Sequence, residues 1–212
     1  MLRSRPLRVR REKCSALPLR IQDVSAEAIL LAGGARAILL QIANPRVAQA
    51  LAEHSDFANR PLDRLRGTLT YLYVTVYGTP EEAHAVARRV GAAHRPVPGA
   101  DNEQLQLWVA ATLYETAMTV RELIYGAVSV DDAEQLLADY AVVGTALGVP
   151  GALWPADRAA FAAYWERELV GLRVDAAGRR VAQELLHPVA GPVWLRLSMP
   201  AVRLVTAGLL DP

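Results

Sequence analysis

At 212 residues, the chain is long enough for one domain with a full core and short for two. Hydrophobic residues make up 52% of it and the formal net charge is +1, which argues against a disordered chain and against a protein that coats nucleic acid. Cys14 is the single cysteine, so neither an intramolecular disulfide nor a cysteine-based metal cluster can form.

The N-terminal 23 residues are predicted to be a basic arm. Between Arg3 and Arg20 it carries seven cationic side chains against Glu12 alone, and Lys13 is the only lysine of the protein. No aromatic residue is interleaved with this charge, so we expect a solvated, partly disordered tail; contact with anionic lipid or nucleic acid is the alternative. Residues 24–212 are predicted to form a single domain.

The sequence shows no obvious membrane or export segment. No apolar run reaches the roughly 18 residues that cross a bilayer, and the best candidate, 26–43, is interrupted by Glu27, Arg36 and two glycines. The twin arginine Arg10-Arg11 is not followed by an apolar stretch. We therefore expect a cytoplasmic protein without a transmembrane segment.

From Val24 onward, apolar residues recur at helical spacing and no stretch alternates as a half-buried strand does. The pattern predicts an all-α, compact multi-helix domain. The first helix is predicted from Ser25 to Ala43, since Pro45 disfavours helix at the residue before it. A short helix follows Pro45, and another is predicted from Pro61 to Gly78.

The clearest helix start is Thr79-Pro80-Glu81-Glu82, a capping box with proline at the first helical position. That helix is predicted to end near His94, because the following segment contains two prolines. Asp101 or Asn102 is expected to cap the longest helix, which ends at Gly126, and Ser129 with Asp132 forms a second capping box for a helix closed by Gly148. Further helices are predicted near 157–170, 175–186 and 200–208.

His94 is the strongest candidate ligand among the four histidines His54, His84, His94 and His187. It ends a helix and precedes a rigid Pro-x-Pro-Gly exit, a placement that fixes the direction of its ring. An imidazole held in this way is suited to be an axial ligand of haem iron, provided that the facing helices form an apolar slot.

Arg64 and Thr68 lie one turn apart on one face of the helix that begins at Pro61. An arginine can pair with a haem propionate or hold a polarised oxygen ligand, and a threonine hydroxyl can donate a hydrogen bond to dioxygen. The alternative is that Arg64 is a surface residue paired with Asp63 or Asp56.

Several motifs follow one another in an order and spacing that resemble the rubber oxygenase catalytic-domain family, to which latex clearing protein and the endoplasmic-reticulum oxygenase of mycophenolic acid biosynthesis belong. The similarity covers roughly residues 25 to 205. Its motifs are Gly33-Gly34-x-Arg36-x-x-Leu39-Leu40-Gln41, Asn44-Pro45, His54-Ser55-x-Phe57, Arg64-x-x-x-Thr68, Tyr77-Gly78, Val90-x-x-x-His94-x-x-Val97-x-Gly99, Trp108, Leu147-Gly148-Val149-Pro150, Pro155 and Tyr164.

The resemblance implies an all-helical fold related in outline to globins, haem b as cofactor, and dioxygen-dependent oxidation or cleavage of an apolar unsaturated isoprenoid or lipid. It implies His94 as the metal ligand, with Arg64 and Thr68 as cofactor-binding and catalytic residues.

Rubber-cleaving members carry a lysine at the position directly before Thr68, where this chain has Gly67. The sixth iron position is therefore expected to hold water or stay open. Those members also use a pocket glutamate as a base, for which Glu53 and Glu115 are the candidates; Glu115 could instead pair with an arginine.

Two other functions remain open from the sequence. Glu81-x-x-His84 and Glu184-x-x-His187 have the spacing of ligands in helical di-iron proteins. The domain could also bind haem or a lipid without catalysis, as a sensor, carrier or interaction module; the missing lysine favours this alternative.

Overall fold

The computed structural model describes residues 18–25, 33–54 and 59–210, and the secondary structure within these ranges is helical throughout. The predicted all-α class is therefore confirmed. Residues 1–17 of the predicted basic arm lie outside the described residues. The last part of the arm is not a solvated tail, because Arg20 pairs with Asp139 and Ile21 is buried in the core. The helices are α1 (Ile21–Ser25), α2 (Gly34–Ile42), α3 (Pro45–His54), α4 (Pro61–Tyr77), α5 (Pro80–His94), α6 (Glu103–Tyr125), α7 (Val130–Thr145), α8 (Arg158–Gly171), α9 (Ala176–Leu186) and α10 (Val193–Leu210), with a 3₁₀ turn at Gly151–Leu153.

The longest helix, α6, forms the centre of the core and contacts α2 and α7. Most residues between Leu107 and Val120 are buried, so apolar neighbours surround α6 on most sides, as expected for a central helix. Its Tyr114 ring makes edge contacts with Tyr140, Trp154 and Phe161, and its Trp108 stacks on Trp165 at 5.2 Å between ring centroids. These aromatic contacts join α6 to α7 and α8.

Side chains at the helix N-termini explain where most of the helices begin. Thr79 and Glu82 form the complete reciprocal capping box before α5, and Asn102 rather than Asp101 caps α6. The second predicted box is only half formed. Ser129 Oγ accepts a hydrogen bond from the Asp132 N–H, but the Asp132 carboxylate accepts from the backbone N–H of Leu19 and from the Ser129 hydroxyl instead of returning to the Ser129 backbone.

One predicted helix lies partly outside the described residues, and another begins earlier than predicted. The predicted helix 25–43 has only its second part inside the described ranges, where α2 ends at Ile42 as expected. The last helix begins at Val193 and not at Pro200, so the proline lies inside α10. Proline removes one helical hydrogen bond and crowds the preceding turn. Here Pro200 is on the exposed side of the helix, where water can satisfy the freed carbonyl of Arg196.

The prediction that no segment could cross a membrane is not supported. Helix α10 has 18 residues and is long and apolar enough, by length and composition, to span a bilayer. In the sequence, Arg196 and Arg203 interrupt the apolar residues of this helix.

Candidate functional site

Helices α4 and α5 form an antiparallel hairpin that places the predicted site residues at one end. Only Gly78 and Thr79 separate the two helices, and they pack against each other along their lengths. Arg64 and His94 are almost equally far from this turn in sequence. The start of α4 and the end of α5 therefore lie at the same level of the hairpin.

Arg64 and Thr68 lie on the face of α4 that is buried in the core nearer the C-terminal end of the helix. At 100° per residue, Arg64, Thr68, Tyr71 and Thr75 fall within a narrow arc of the helix. Tyr71 and Thr75 are buried, and the Tyr71 hydroxyl donates to the carbonyl of Val143 on α7. Arg64 and Thr68 are exposed. The side of α4 that faces the core is therefore accessible to solvent in the first two turns of the helix.

His94 has the corresponding position on α5. Val86 and Val90 pack against the core, and His94 follows Val90 by one turn on the same side of the helix. Nevertheless, the His94 side chain is exposed. Together, Arg64, Thr68 and His94 define what we call the open end of the α4–α5 hairpin, where two core-directed helix faces are accessible to a ligand.

The charge of Arg64 acts on His94. Burial by surrounding protein lowers the pKa of His94 below its ordinary value, and the positive charge of Arg64 lowers it further. Burial also lowers the pKa of Arg64. Both side chains are thus accessible to solvent, although protein atoms surround part of each. The imidazole is neutral at neutral pH, which is the form that binds a metal ion.

The segment after His94 is held by consecutive hydrogen bonds. The Arg95 N–H donates to the Gly91 carbonyl, and the Val97 N–H donates to the His94 carbonyl at 2.8 Å. Gly99 has φ of +75°, a conformation that glycine adopts at little cost. These bonds fix the backbone on both sides of His94, in agreement with the rigid exit predicted from the sequence.

Glu53 and Glu115, the two glutamates proposed as a base, both have hydrogen-bond partners away from the open end. Glu115 of α6 pairs with the buried Arg36 of α2 and also accepts a hydrogen bond from the Thr119 hydroxyl at 2.9 Å. Glu53 of α3 accepts from the Gln49 amide. The alternative interpretation of Glu115, as the partner of an arginine, is therefore correct.

No local sequence pattern indicates the role of Arg36. Its Nη1 also donates to Thr116 Oγ1 at 2.9 Å and its Nε donates to the carbonyl of Leu209 on α10 at 2.7 Å. One side chain therefore joins α2, α6 and α10. Because its partners lie far away in the sequence, only the tertiary structure reveals this connection.

Arg64 is exposed, as its interpretation as a surface residue predicts. Asp63 pairs with Arg60 at 2.9 Å, two residues that are both largely exposed. Arg64 has interaction partners of its own, and Asp56 lies outside the described residues.

The di-iron alternative is not supported by the geometry. Glu81 belongs to the first turn of α5, where hydrogen bonds from its own backbone and from Thr79 lower its pKa. His187 ends α9, and Glu184 in the same helix pairs with Arg180. Within the described ranges, no three His, Cys, Asp or Glu side chains come together as a group that could hold a metal ion.

A surface groove of about 380 Å³ adjoins the segment that follows His94. It lies between α3 and the region from Pro98 to Leu105, and Arg46, Gln49 and Glu53 supply its polar side chains. The groove does not include Arg64, Thr68 or His94, so it is separate from the open end.

The comparisons with known proteins identify the family of the chain. Two mycobacterial proteins, each named only as uncharacterized, are similar to the chain: Rv2237 of Mycobacterium tuberculosis and Mb2261 of Mycobacterium bovis. Each is 35% identical over 193 residues, an alignment that covers 82% of this chain and 74% of the relative. No solved structure matches the chain. Residues 21–212 match the family described as ER-bound oxygenase mpaB/B'/Rubber oxygenase, catalytic domain, and the chain therefore belongs to this oxygenase catalytic-domain family.

Proposed function

We propose that the protein is a haem b-dependent oxygenase that uses dioxygen to oxidise or cleave an apolar, unsaturated isoprenoid or lipid. His94 would bind the haem iron, and Arg64 and Thr68 would be the polar groups of the cofactor site. The observation that carries the proposal is that His94 and Arg64 lie at the same end of the α4–α5 hairpin, where the charge of Arg64 lowers the pKa of His94.

The donor groups at the open end fit the chemistry of haem. A neutral imidazole can ligate iron, and the lowered pKa of His94 keeps it neutral at neutral pH. A guanidinium remains charged and can pair with the carboxylate of a propionate. One turn before His94, the partly buried Val90 adds apolar surface near these polar groups. The cofactor, when bound, supplies the redox-active iron needed to activate dioxygen.

Each residue of the open end has a distinct task in this proposal. The backbone hydrogen bonds around His94 orient its ring and keep it in place. Arg64 holds a negatively charged group beside it, and the Thr68 hydroxyl donates a hydrogen bond to a polar oxygen of the reacting ligand. Gly67 provides no side chain at the position where rubber-cleaving members have lysine, which leaves room for a small ligand or substrate.

A non-catalytic haem- or lipid-binding protein is the second candidate function. Two observations favour it: Glu115 is engaged by Arg36, and Gly67 has no amine to offer. This alternative predicts binding of cofactor at His94 without consumption of dioxygen.

The visible absorption spectrum of protein expressed with ample iron and haem precursor tests the proposed ligand. We expect a Soret band that weakens or shifts in His94→Ala. His84→Ala is the matched control, because His84 is also exposed on α5 but lies near the other end of that helix. A colourless protein that stays colourless after haem is added would refute the haem assignment.

Oxygen consumption with isoprenoid and lipid substrates then separates the two functions. Catalysis predicts substrate-dependent uptake that falls in Thr68→Val, whereas a carrier or sensor shows the Soret band without uptake. Unchanged oxidation in Thr68→Val would contradict the role assigned to that hydroxyl.

A further inference from the structure

Helix α10 presents an apolar face to solvent along its whole length. Its three buried residues, Met199, Thr206 and Leu209, lie on one side. On the opposite side, Leu197 is 75% exposed and Leu204 is 76% exposed. Also on the outward side are Val193, Trp194, Pro200, Ala201 and Gly208. We call this set the outer face of α10. A continuous apolar face of this kind is unusual for a surface that remains in water.

The inner side of α10 is attached to the domain, so the helix is not free to cross a bilayer on its own. It packs against α2 and α9. The Leu209 carbonyl accepts from Arg36 Nε, and Arg203 Nη1 donates to the Leu186 carbonyl at 3.1 Å. A helix fixed along one side can present only its opposite side to a partner. This geometry favours a helix that lies in the plane of a surface.

The charges of α10 indicate which partner that surface is. Arg196 and Arg203 are seven residues apart and occupy the same flank of the outer face, and α10 contains no aspartate or glutamate. A second copy of the chain could match the apolar residues but would bring no carboxylate on its own α10 to these arginines. Anionic headgroups beside an apolar interior match both features of the helix.

We propose that α10 is an in-plane membrane contact, whose outer face enters the interfacial region of a bilayer while the exposed Arg196 binds anionic lipid headgroups. Trp194, at the first turn of the helix and 60% exposed, lies at the level where aromatic side chains favour the interface. This inference does not depend on haem binding, and it is compatible with the expected cytoplasmic location because the helix does not cross the bilayer.

Trp194 provides a direct probe of the proposed contact. Of the four tryptophans, Trp108 and Trp154 are buried and Trp165 is partly buried, so Trp194 is the one that a membrane can reach. We expect its fluorescence to shift to the blue with vesicles of phosphatidylcholine and phosphatidylglycerol, and much less with phosphatidylcholine alone. Trp194→Phe removes the shift but should retain most of the co-sedimentation with the anionic vesicles.

Variants of the outer face test the residues that carry the proposal. Leu197→Asp combined with Leu204→Asp should lower partitioning onto anionic vesicles at least tenfold, and Arg196→Gln should weaken it severalfold. Raising the salt to about 0.5 M should also weaken binding, because the headgroup attraction is screened. Leu123→Asp is the matched control: Leu123 is 70% exposed on α6 and should not contribute. Circular dichroism checks that all variants remain folded.

The proposal is overturned if the full chain does not co-sediment with anionic vesicles, or if the double aspartate variant binds them as well as the wild type. It is likewise overturned if light scattering shows a dimer that Leu197→Asp dissociates, since the outer face would then bind a second copy.

Discussion

The positive charge of Arg64, near the start of α4, lowers the pKa of His94, the last residue of α5. They are brought together by the tight Gly78–Thr79 connection, since residues at similar distances from a hairpin turn lie at the same level. A cation next to a candidate metal ligand keeps that ligand unprotonated, which favours coordination over protonation.

Replacing Arg64 by leucine should raise the pKa of His94. Burial is the larger cause of the lowered pKa and remains in the variant, so we expect the pKa to rise but to stay below its ordinary value of about 6.5. Nuclear magnetic resonance titration of the His94 imidazole measures the change. Arg66→Leu is the control, because Arg66 lies on the opposite face of the same helix. An unchanged His94 pKa in Arg64→Leu would show that the two groups do not interact.

The same interaction has a consequence for cofactor binding, because a proton and iron compete for one imidazole nitrogen. As the pH falls, the wild-type imidazole stays neutral to a lower pH than that of Arg64→Leu. The Soret band of the haem-loaded variant should therefore be lost at a higher pH than that of the wild type.

Removing one member of the Arg36–Glu115 pair should destabilise the fold by roughly 3 kcal/mol, since a largely buried charge is left without its partner. The double variant Arg36→Met, Glu115→Leu should cost less than either single change. Urea unfolding of the two single variants and the double variant measures this coupling. Arg60→Ala is the control, because the exposed Arg60–Asp63 pair should contribute well below about 1 kcal/mol. Additive costs for Arg36 and Glu115 would contradict a structural pair.

Two glycines should respond to alanine in opposite directions. A Cβ at Gly178 would lie 2.8 Å from the carbonyl oxygen of Ile42, where α9 approaches α2, so Gly178→Ala should destabilise the fold by about 1–3 kcal/mol. A Cβ at Gly67 meets no atom within 4 Å, so Gly67→Ala should stabilise α4 by about 0.5–1 kcal/mol. Thermal unfolding compares both variants with the wild type. Equal effects at the two sites would contradict the close approach of α9 to α2.

Gly67→Lys should change the visible spectrum of the haem-loaded protein. The open space around Gly67 accepts a longer side chain, and the position directly before Thr68 is the one that carries lysine in rubber-cleaving members. An added amine ligand should move the Soret maximum relative to wild type, whereas Gly67→Met, with a similar length but no amine, should not reproduce that shift. A Gly67→Lys spectrum identical to that of the wild type would place Gly67 away from the iron.

Much of the secondary structure could be predicted from the sequence because its signals are local. Thr79, Glu82 and Pro80 define the start of α5 within four residues, and the prolines after His94 define its end. The helical class follows from the spacing of apolar residues alone. The position of His94 at a helix end was therefore predictable, as was the placement of Arg64 and Thr68 on one face.

Other features could not be predicted because their partners are far apart in sequence. The Asp132 carboxylate accepts a hydrogen bond from the backbone N–H of Leu19 instead of completing the expected capping box. Glu115 forms an ion pair with Arg36. Pro200 lies within α10 because the surrounding helix is long enough to tolerate one missing hydrogen bond at an exposed position. Each of these outcomes depends on which surfaces meet in the folded chain.

The sequence by itself determined the helices, most of their ends and the family of the protein, since capping, proline stereochemistry and apolar periodicity act within a few residues. Only the tertiary structure decided that Arg64 lies beside His94, that Glu115 is held by Arg36, and that one side of α10 remains exposed. The physical reason is the same in each case. Electrostatic interaction and burial depend on distances through space, and these are set by how the helices pack.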